Sequence, residues 1–91
     1  MVGIFAISKA GHDRGKWYLV LREEEEFVYL VDGKRRTTGH PKKKRKKHIQ
    51  PVTSGADAAL AEKIRNMQPV KNEEIKYAIK CRCKEVTHVE S

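Results

Sequence analysis

The sequence has 91 residues, of which 38% are hydrophobic and 35% are charged. A chain of this length forms at most one small domain, and it contains no apolar run near the roughly 20 residues that a membrane-spanning helix requires. We find no signal-peptide hydrophobic region at the N-terminus, so we expect a soluble cytoplasmic protein without a membrane partner. The formal net charge of +8 indicates a polyanionic partner.

The positive charge is concentrated in residues 34–47, which we call the basic segment. It holds nine of the 20 lysines and arginines and no acidic residue, whereas the other eleven basic residues are balanced by twelve acidic ones. A field this localised suits a phosphate backbone. The stretch PKKKRKK at 41–47 also resembles a short nuclear localisation signal, but that pattern is common among nucleic-acid binders.

Short apolar runs in the first half of the chain predict three strands, at 3–8, 17–21 and 27–31. The second and third are expected to form a hairpin around the four glutamates at 23–26. We interpret these glutamates as the solvated tip of the hairpin, which could repel nucleic acid and orient it, and not as a catalytic carboxylate cluster. A segment rich in turn residues, 9–15, separates the first two strands.

Two further strands are predicted after the third. Asp32-Gly33 is typical of a two-residue type I′ turn, because Asp and Gly tolerate positive φ, so a fourth strand is expected to start at Lys34. A short fifth strand is predicted at 48–50 and ends at Pro51. Five short strands within about fifty residues indicate a small antiparallel barrel.

A change of composition after residue 52 predicts two helices. Ser54 and Asp57 fit a capping box at the start of the first helix, and Pro69 stops it. The apolar stripe of this helix is expected to consist of Leu60, Ile64 and Met67. Asn72 is the predicted N-cap of a second helix over 72–86, whose packing face is expected to contain Ile75, Ala78, Ile79, Cys83 and Val86.

The residues offer no catalytic or metal-binding constellation. The spacing of Cys81 and Cys83 matches neither a CxxC redox pair nor a standard zinc module with His88, so we interpret both as free reduced thiols. Neighbouring side chains such as His12 and Asp13 do not orient each other as a catalytic pair, and no phosphate loop, GxSxG or HExxH motif is present. We therefore expect no enzyme activity, no cofactor and no small-molecule substrate.

The candidate binding residues are cations of the first loop and of the basic segment, with one aromatic residue. Lysine is a flexible point charge for phosphate, whereas arginine also forks onto phosphate or stacks on a base. Trp17 adjoins the loop and is either a stacking platform or an aromatic that docks the core or a helix. The residues expected to bind RNA are Lys9, Arg14, Lys16, Trp17, Arg35, Arg36, Lys42, Lys43, Lys44, Arg45, Lys46 and Lys47.

The segment SKAGHDRGKWYLVL at 8–21, followed by YLVDG at 29–33, resembles a KOW motif. Gly11 stands where such motifs keep a glycine, in a loop conformation that tolerates no Cβ. With the basic stretch closing on HIQPVT at 48–53, residues 1–53 are similar to the KOW barrel of eukaryotic-type large-subunit ribosomal proteins. They are also similar to small stand-alone bacterial KOW-domain proteins, whereas the helical tail matches only loosely.

The resemblance implies a mainly β fold, with a five-stranded SH3-like barrel over 1–53 and a short two-helix extension over 54–91. It implies binding to structured RNA, usually ribosomal, with first-loop contacts from Lys9, His12, Arg14 and Lys16. We therefore expect a monomeric, ribosome-associated protein that docks on rRNA of the large subunit. Residues 42–47 would supply sequence-independent phosphate affinity while the first loop fixes the register.

Two other functions remain open at this point. The barrel and the helical tail could form a protein–protein adaptor of the transcription or translation machinery, which an excess of uncovered apolar surface on the helix over 72–86 would favour. DNA binding has less support, because both predicted helices are short and acidic at their starts, unlike a recognition helix.

Overall fold

The computed structural model describes residues 1–52 and 57–90, with side chains described as far as Cys83. Within these residues the chain forms five strands, a short 3-10 helix and two α-helices. The strands are β1 (Phe5–Ser8), β2 (Trp17–Glu23), β3 (Phe27–Val31), β4 (Lys42–Arg45) and β5 (Ile49–Val52). The 3-10 helix spans Lys46–His48, and the α-helices are α1 (Ala58–Arg65) and α2 (Asn72–Glu90).

The five strands form one antiparallel sheet in the order β4-β3-β2-β1-β5. β2 and β3 pair as the predicted hairpin, and β1 lies between β2 and β5. Glu24, Glu25 and Glu26 form the tip of the hairpin, whereas Glu23 is the last residue of β2 and pairs with Val28. Among the described residues no strand pairing joins β4 to β5, so the sheet is open. The prediction of five antiparallel strands followed by two C-terminal helices is confirmed, and β3 occupies the predicted residues.

Strand residues alternate between two faces of the sheet, and each face carries its own core. On the first face, which we call the inner face, the buried side chains are Ala6, Tyr18, Val20, Val28, Leu30 and Ile49. On the second, the helix face, the sheet packs against both helices through Phe5, Leu19, Val31, Leu60, Ile64, Ile75 and Ala78. Each fully buried large apolar side chain contributes about 1.5–3 kcal/mol, so docking on the sheet stabilises helices that would be marginal alone.

The loop at 32–41 is longer than the two-residue turn that the sequence predicted. The carboxylate of Asp32 accepts hydrogen bonds from the backbone N–H groups of Lys34 and Arg36, at 2.8 and 2.9 Å. Gly33 has a φ of +78°, and a Cβ there would overlap the carbonyl oxygen of Asn72. These contacts fold the chain into a loop against the start of α2 and prevent the immediate reversal into a strand.

As a consequence, β4 begins at Lys42 and not at Lys34, and Arg35 and Arg36 lie in the loop and not on the fourth strand. β5 is also displaced from the predicted 48–50 and includes Pro51. A proline is tolerated there because β5 is an edge strand, so its missing N–H costs no ladder hydrogen bond on the open side.

The N-cap of helix α1 lies three residues later than predicted, at Asp57 and not at Ser54. Asp57 accepts a hydrogen bond from the N–H of Leu60 at 3.0 Å, whereas Ser54 of the predicted capping box lies outside the described residues. The helix ends at Arg65, and Met67 follows with a φ of +56° and a 92% exposed side chain. Met67 is therefore not part of the apolar stripe, because the chain has already left the helix.

Helix α2 packs through Ile75, Ala78 and Ile79 as predicted, and it continues to Glu90, beyond the predicted end at 86. The side chain of Val86 lies outside the described residues. Neither α-helix is long and apolar enough, over the residues that the structure describes, to cross a membrane.

The start of α2 differs from the predicted Asn72 cap. The side-chain Oδ1 of Asn72 accepts a hydrogen bond from the N–H of Thr38 at 3.0 Å and so fastens the loop at 32–41 to the helix. Glu74 instead reaches back to the N–H of Lys71 at 3.1 Å, as the third residue of a capping box does.

Candidate nucleic-acid interface

The first loop, residues 9–16, is fixed by its own backbone hydrogen bonds. Gly15 N–H donates to the Ser8 carbonyl and Lys9 N–H donates to the His48 carbonyl, each at 2.8 Å. Gly11 has a φ of +84°, the left-handed conformation expected of it, which a residue with a Cβ adopts only with strain. The loop therefore presents its polar side chains at defined positions, and the exposed ones are Lys9, His12, Arg14 and Lys16.

Asp13 points the other way and is only 5% exposed. Its Oδ1 accepts hydrogen bonds from Ser8 Oγ at 2.9 Å and Lys44 Nζ at 2.8 Å. Its Oδ2 lies 3.1 Å from Tyr18 Oη and 2.7 Å from Lys42 Nζ. We call these five residues the Asp13 cluster. His12, the preceding residue, is exposed.

The Asp13 cluster fastens β4 to the first loop. Lys44, whose side chain is 10% exposed, also donates to Ser8 Oγ at 2.7 Å and to the Ala10 carbonyl at 2.8 Å. All three of its ammonium hydrogens therefore have acceptors, as a buried charge requires. These bonds hold a lysine of the basic segment inside the protein and remove it from contact with any ligand.

The ionisation of the cluster follows from these contacts. Burial alone would raise the pKa of Asp13, but the hydrogen bonds from the cluster, first those from Lys42 and Lys44, outweigh burial and hold the pKa well below its ordinary value of 3.8. Burial and the charge of Asp13 raise the pKa of Tyr18 to about 12. At neutral pH Asp13 is therefore ionised and the phenol of Tyr18 is neutral.

The side chains of β4 alternate between the two faces of the sheet, which divides its four basic residues into two rows. Lys42 and Lys44 pair with Leu30 and Val28 of the inner face, and these two lysines belong to the Asp13 cluster. Lys43 and Arg45 point to the opposite face, and the side chain of each is 51% exposed. The sequence could not show this division, because every residue of the strand is basic.

Lys46 is also paired within the protein. Its Nζ lies 2.6 Å from Glu23 Oε2, and hydrogen bonds from Lys46 and from the terminal amino group lower the pKa of Glu23 to about 2. Three of the residues expected to contact phosphate, Lys42, Lys44 and Lys46, thus bind carboxylates of this chain.

Eight further basic residues belong to segments that meet at one end of the sheet. The loops after β1 and after β3 emerge at the same end of β2, because the strands are antiparallel with Ile7 opposite Trp17 and Leu19 opposite Val31. The bond from Lys9 N–H to the His48 carbonyl places the end of the 3-10 helix beside the first loop, whereas the bond from Lys46 N–H to the Glu26 carbonyl places its start at the hairpin tip. We call the exposed basic residues of these segments the loop-end surface: Lys9, His12, Arg14, Lys16, Lys34, Arg35, Arg36 and Lys47.

The loop-end surface has no competing exposed acid of its own segments. Asp13 and Asp32 are the acidic residues of 9–16, 32–41 and 46–48, and both carboxylates accept hydrogen bonds from this chain. No cation of the loop-end surface makes a side-chain ion pair with a described residue. Lys34, which is absent from the predicted binding residues, joins this surface because the fourth strand starts later than predicted.

Trp17 lies at the start of β2 and packs into the helix-face core. Its ring meets that of Phe5 edge-on, with centroids 6.4 Å apart and an interplanar angle of 62°. It is half-buried against the cluster that holds the helices. The structure therefore places Trp17 as the helix-docking aromatic, the second of the two interpretations considered for it.

The residues that the sequence did not reveal are the acceptors and donors of the Asp13 cluster. Ser8, Asp13 and Tyr18 lie close together in the chain, but their partners on β4 are about thirty residues away. Their only local clue is a polar residue, Ser8, at a strand end beside a glycine-containing loop.

No protein-family model matches the chain, and no curated protein is significantly similar to it in sequence.

Proposed function

We propose that this protein is a non-catalytic RNA-binding protein of the translation apparatus that docks on ribosomal RNA through the loop-end surface. The observation that carries the proposal is the convergence of three basic segments whose cations are exposed and make no ion pair with a described residue. A phosphate backbone is the polyanion that such a surface fits, because each lysine or arginine that meets a phosphate releases condensed counterions.

We also propose that the sheet is a KOW-type SH3-like barrel. In support, Lys44 reaches from one edge strand to Ser8 and Ala10 at the end of β1, so the inner face is strongly curled. The 3-10 helix connects β4 directly to β5, the two edge strands. The left-handed Gly11 lies in the loop where the KOW resemblance expects it.

The two loops have different roles in this proposal. The first loop is preorganised, because the buried Asp13 binds Lys44 of β4 while Lys9, Arg14 and Lys16 are exposed to solvent. Preorganised cations lose less conformational freedom on binding, so this loop sets the register on the RNA. Arg35 and Arg36, in the loop at 32–41, add the planar forked guanidinium groups that suit phosphate or a base face.

The adaptor alternative loses the feature that would have favoured it. The apolar residues Ile75, Ala78 and Ile79 of α2 are packed against the sheet. Tyr77 is the large hydrophobic residue that α2 exposes among its described side chains, at 70%. A single exposed aromatic is normal for a monomer, so we propose RNA and not protein as the partner.

Co-sedimentation with ribosomal large subunits over about 50–200 mM salt tests the proposal. We expect the variant Lys34→Gln/Arg35→Gln to bind more weakly and to lower the salt slope by about 1.4, because each phosphate that is no longer neutralised lowers the slope by about 0.7. The matched control is Lys71→Gln/Lys80→Gln, which removes two positive charges from exposed positions of the helical region.

Two results would count against the proposal. One is equal binding by the two double variants, because net charge alone would then explain the affinity. The other comes from crosslinking the protein to RNA in cells and sequencing the attached fragments. A dominant rRNA footprint supports docking on the ribosome, and crosslinks scattered over mRNA overturn that partner.

A further inference from the structure

Part of the helix face of the sheet is not covered by the helices. Phe27, Tyr29 and Val31 lie on the same side of β3, but only Val31 belongs to the core that holds the helices. Phe27 and Tyr29 are half-buried, and their cross-strand neighbours on β4 are Arg45 and Lys43. With Arg22 of β2, these residues form a surface that we call the aromatic strip.

Cations lie over both rings of the aromatic strip. Arg22 is 4.3 Å from the centroid of the Tyr29 ring, and Lys43 is 4.4 Å from that of Phe27. Arg45 is 5.1 Å from the Phe27 centroid. A cation over a ring at the protein surface is held more weakly than a nucleobase stacked on the same ring. A base can therefore replace a cation on the ring, and the released cation is then free to meet the phosphate of the same nucleotide.

The acidic residues beside the aromatic strip hold its cations loosely. Glu24 Oε1 lies 4.0 Å from Lys43 Nζ, and Glu26 Oε2 lies 3.8 Å from Arg45 Nη1. Both distances are at the outer limit for an ion pair, and all four side chains are about half exposed or more. Exposed pairs of this kind contribute little and are screened by salt, so a phosphate can compete for the cations.

An open groove adjoins the strip. Tyr29 and Arg22 form one part of its wall, and Leu21, Pro41 and Val70 supply apolar surface. The groove has a volume of about 1000 Å³, at the upper end of the roughly 300–1,000 Å³ that small-ligand sites occupy. The space next to the Tyr29 ring is therefore large enough to accept a base and its sugar.

We propose that the aromatic strip is a second RNA contact, which takes an unstacked nucleotide of single-stranded or looped RNA onto Tyr29 and Phe27. This inference rests on the proposed function, since it deepens the recognition of the same RNA. The aromatic faces stack with any base, and Arg22, Lys43 and Arg45 supply charge complementary to the flanking phosphates. The loop-end surface binds phosphate without regard to strandedness, whereas the strip requires a base that is not already stacked.

Binding of two labelled RNA probes, followed by fluorescence anisotropy, tests the proposal. The probes are a single-stranded oligouridylate of about ten nucleotides and an RNA duplex of about 16 base pairs. We expect Tyr29→Ala to bind the oligouridylate about 10-fold more weakly than the unaltered protein and to bind the duplex equally well. Tyr29→Phe, which keeps the ring, is expected to retain full affinity.

Tyr77→Ala is the matched control, because Tyr77 is an exposed tyrosine on α2, away from the strip. Equal oligouridylate affinity of Tyr29→Ala and Tyr77→Ala would overturn the proposal. A second measurement does not depend on the folding of a variant: photocrosslinking of the unaltered protein to 5-iodouridine in the same oligonucleotide. An adduct within β3 supports the strip, and adducts confined to the loops at 9–16 and 32–41 overturn it.

The same data separate this inference from the proposed function. If the unaltered protein binds both probes and Lys34→Gln/Arg35→Gln weakens both, the loop-end surface stands whatever Tyr29→Ala does. In that case an unchanged Tyr29→Ala removes the aromatic strip alone. If the unaltered protein binds neither probe at low salt, both proposals fail together.

Discussion

Two acidic regions contact the basic strand β4, and they differ in almost every physical respect. Asp13 is buried and meets Lys42 and Lys44 at 2.7 and 2.8 Å. The hairpin-tip residues Glu24 and Glu26 are exposed, and their distances to Lys43 and Arg45 are 4.0 and 3.8 Å. Adjacent residues of one strand therefore have different roles. Lys42 and Lys44 stabilise the fold, whereas Lys43 and Arg45 are held weakly and can exchange their carboxylates for another anion.

A run of like charges is therefore not one functional unit. A strand places successive side chains on opposite faces, so half of a basic strand is directed into the protein. Those lysines need buried acceptors, and Asp13 with its neighbours supplies them. The outward half of the strand, Lys43 and Arg45, is left exposed.

The largest effect that tests this difference is expected from Asp13→Asn. The substitution removes the charge that compensates two lysines, one of them nearly buried, and we expect a loss of about 3 kcal/mol in the free energy of unfolding. Urea denaturation followed by far-UV circular dichroism measures it. Glu26→Gln is the matched control with an expected change below about 0.5 kcal/mol, and equal losses in the two variants would contradict the distinction.

A second comparison uses neighbouring lysines of the same strand. Lys44→Gln removes three charge-assisted hydrogen bonds from a buried site, and we expect a loss of about 2 kcal/mol in unfolding free energy. Lys43→Gln removes an exposed, weakly held cation, with an expected loss below about 0.5 kcal/mol. If Lys43→Gln proved the more destabilising of the two in urea, the assignment of rows to β4 would be wrong.

A smaller effect is expected on the pH dependence of stability, because the buried Asp13 is ionised in the folded protein. The pKa of Asp13 is lower in the folded than in the unfolded chain, so its stabilisation is present above the unfolded value of 3.8 and is lost as the pH falls below it. Glu23 acts in the same direction, because its pKa falls from 4.5 to about 2. We expect the urea midpoint to drop as the pH is lowered from about 4.5 towards 2, and to drop less in Asp13→Asn. A parallel decline in both proteins would contradict the role of Asp13.

The sequence predicted the elements whose cause is local. β3 was placed correctly because FVYLV is apolar and lies between two turn segments. The positive φ of Gly11 agrees with the conformation expected from the motif resemblance, which no local rule predicted. The packing face of α2 followed from helical spacing, with Ile75, Ala78 and Ile79 against the sheet.

The wrong predictions concern features that depend on distant residues. Asp32-Gly33 has the composition of a tight turn, but contact of Gly33 with the start of α2 makes it the beginning of a loop. Asp13 looked like an ordinary loop residue because its lysine partners lie about thirty positions along the chain. No spacing rule reaches across such a separation, so the sequence did not reveal the carboxylate partner of Lys42 and Lys44.

The helix-face core has a practical consequence for dissecting this protein. Phe5, Leu19 and Val31 are covered by residues of α1 and α2 and are at most 1% exposed. A fragment that ended before α1 would present this apolar face to water, next to open strand edges, and both features promote aggregation. The contribution of the sheet to RNA binding should therefore be measured by point substitution in the full chain and not by truncation.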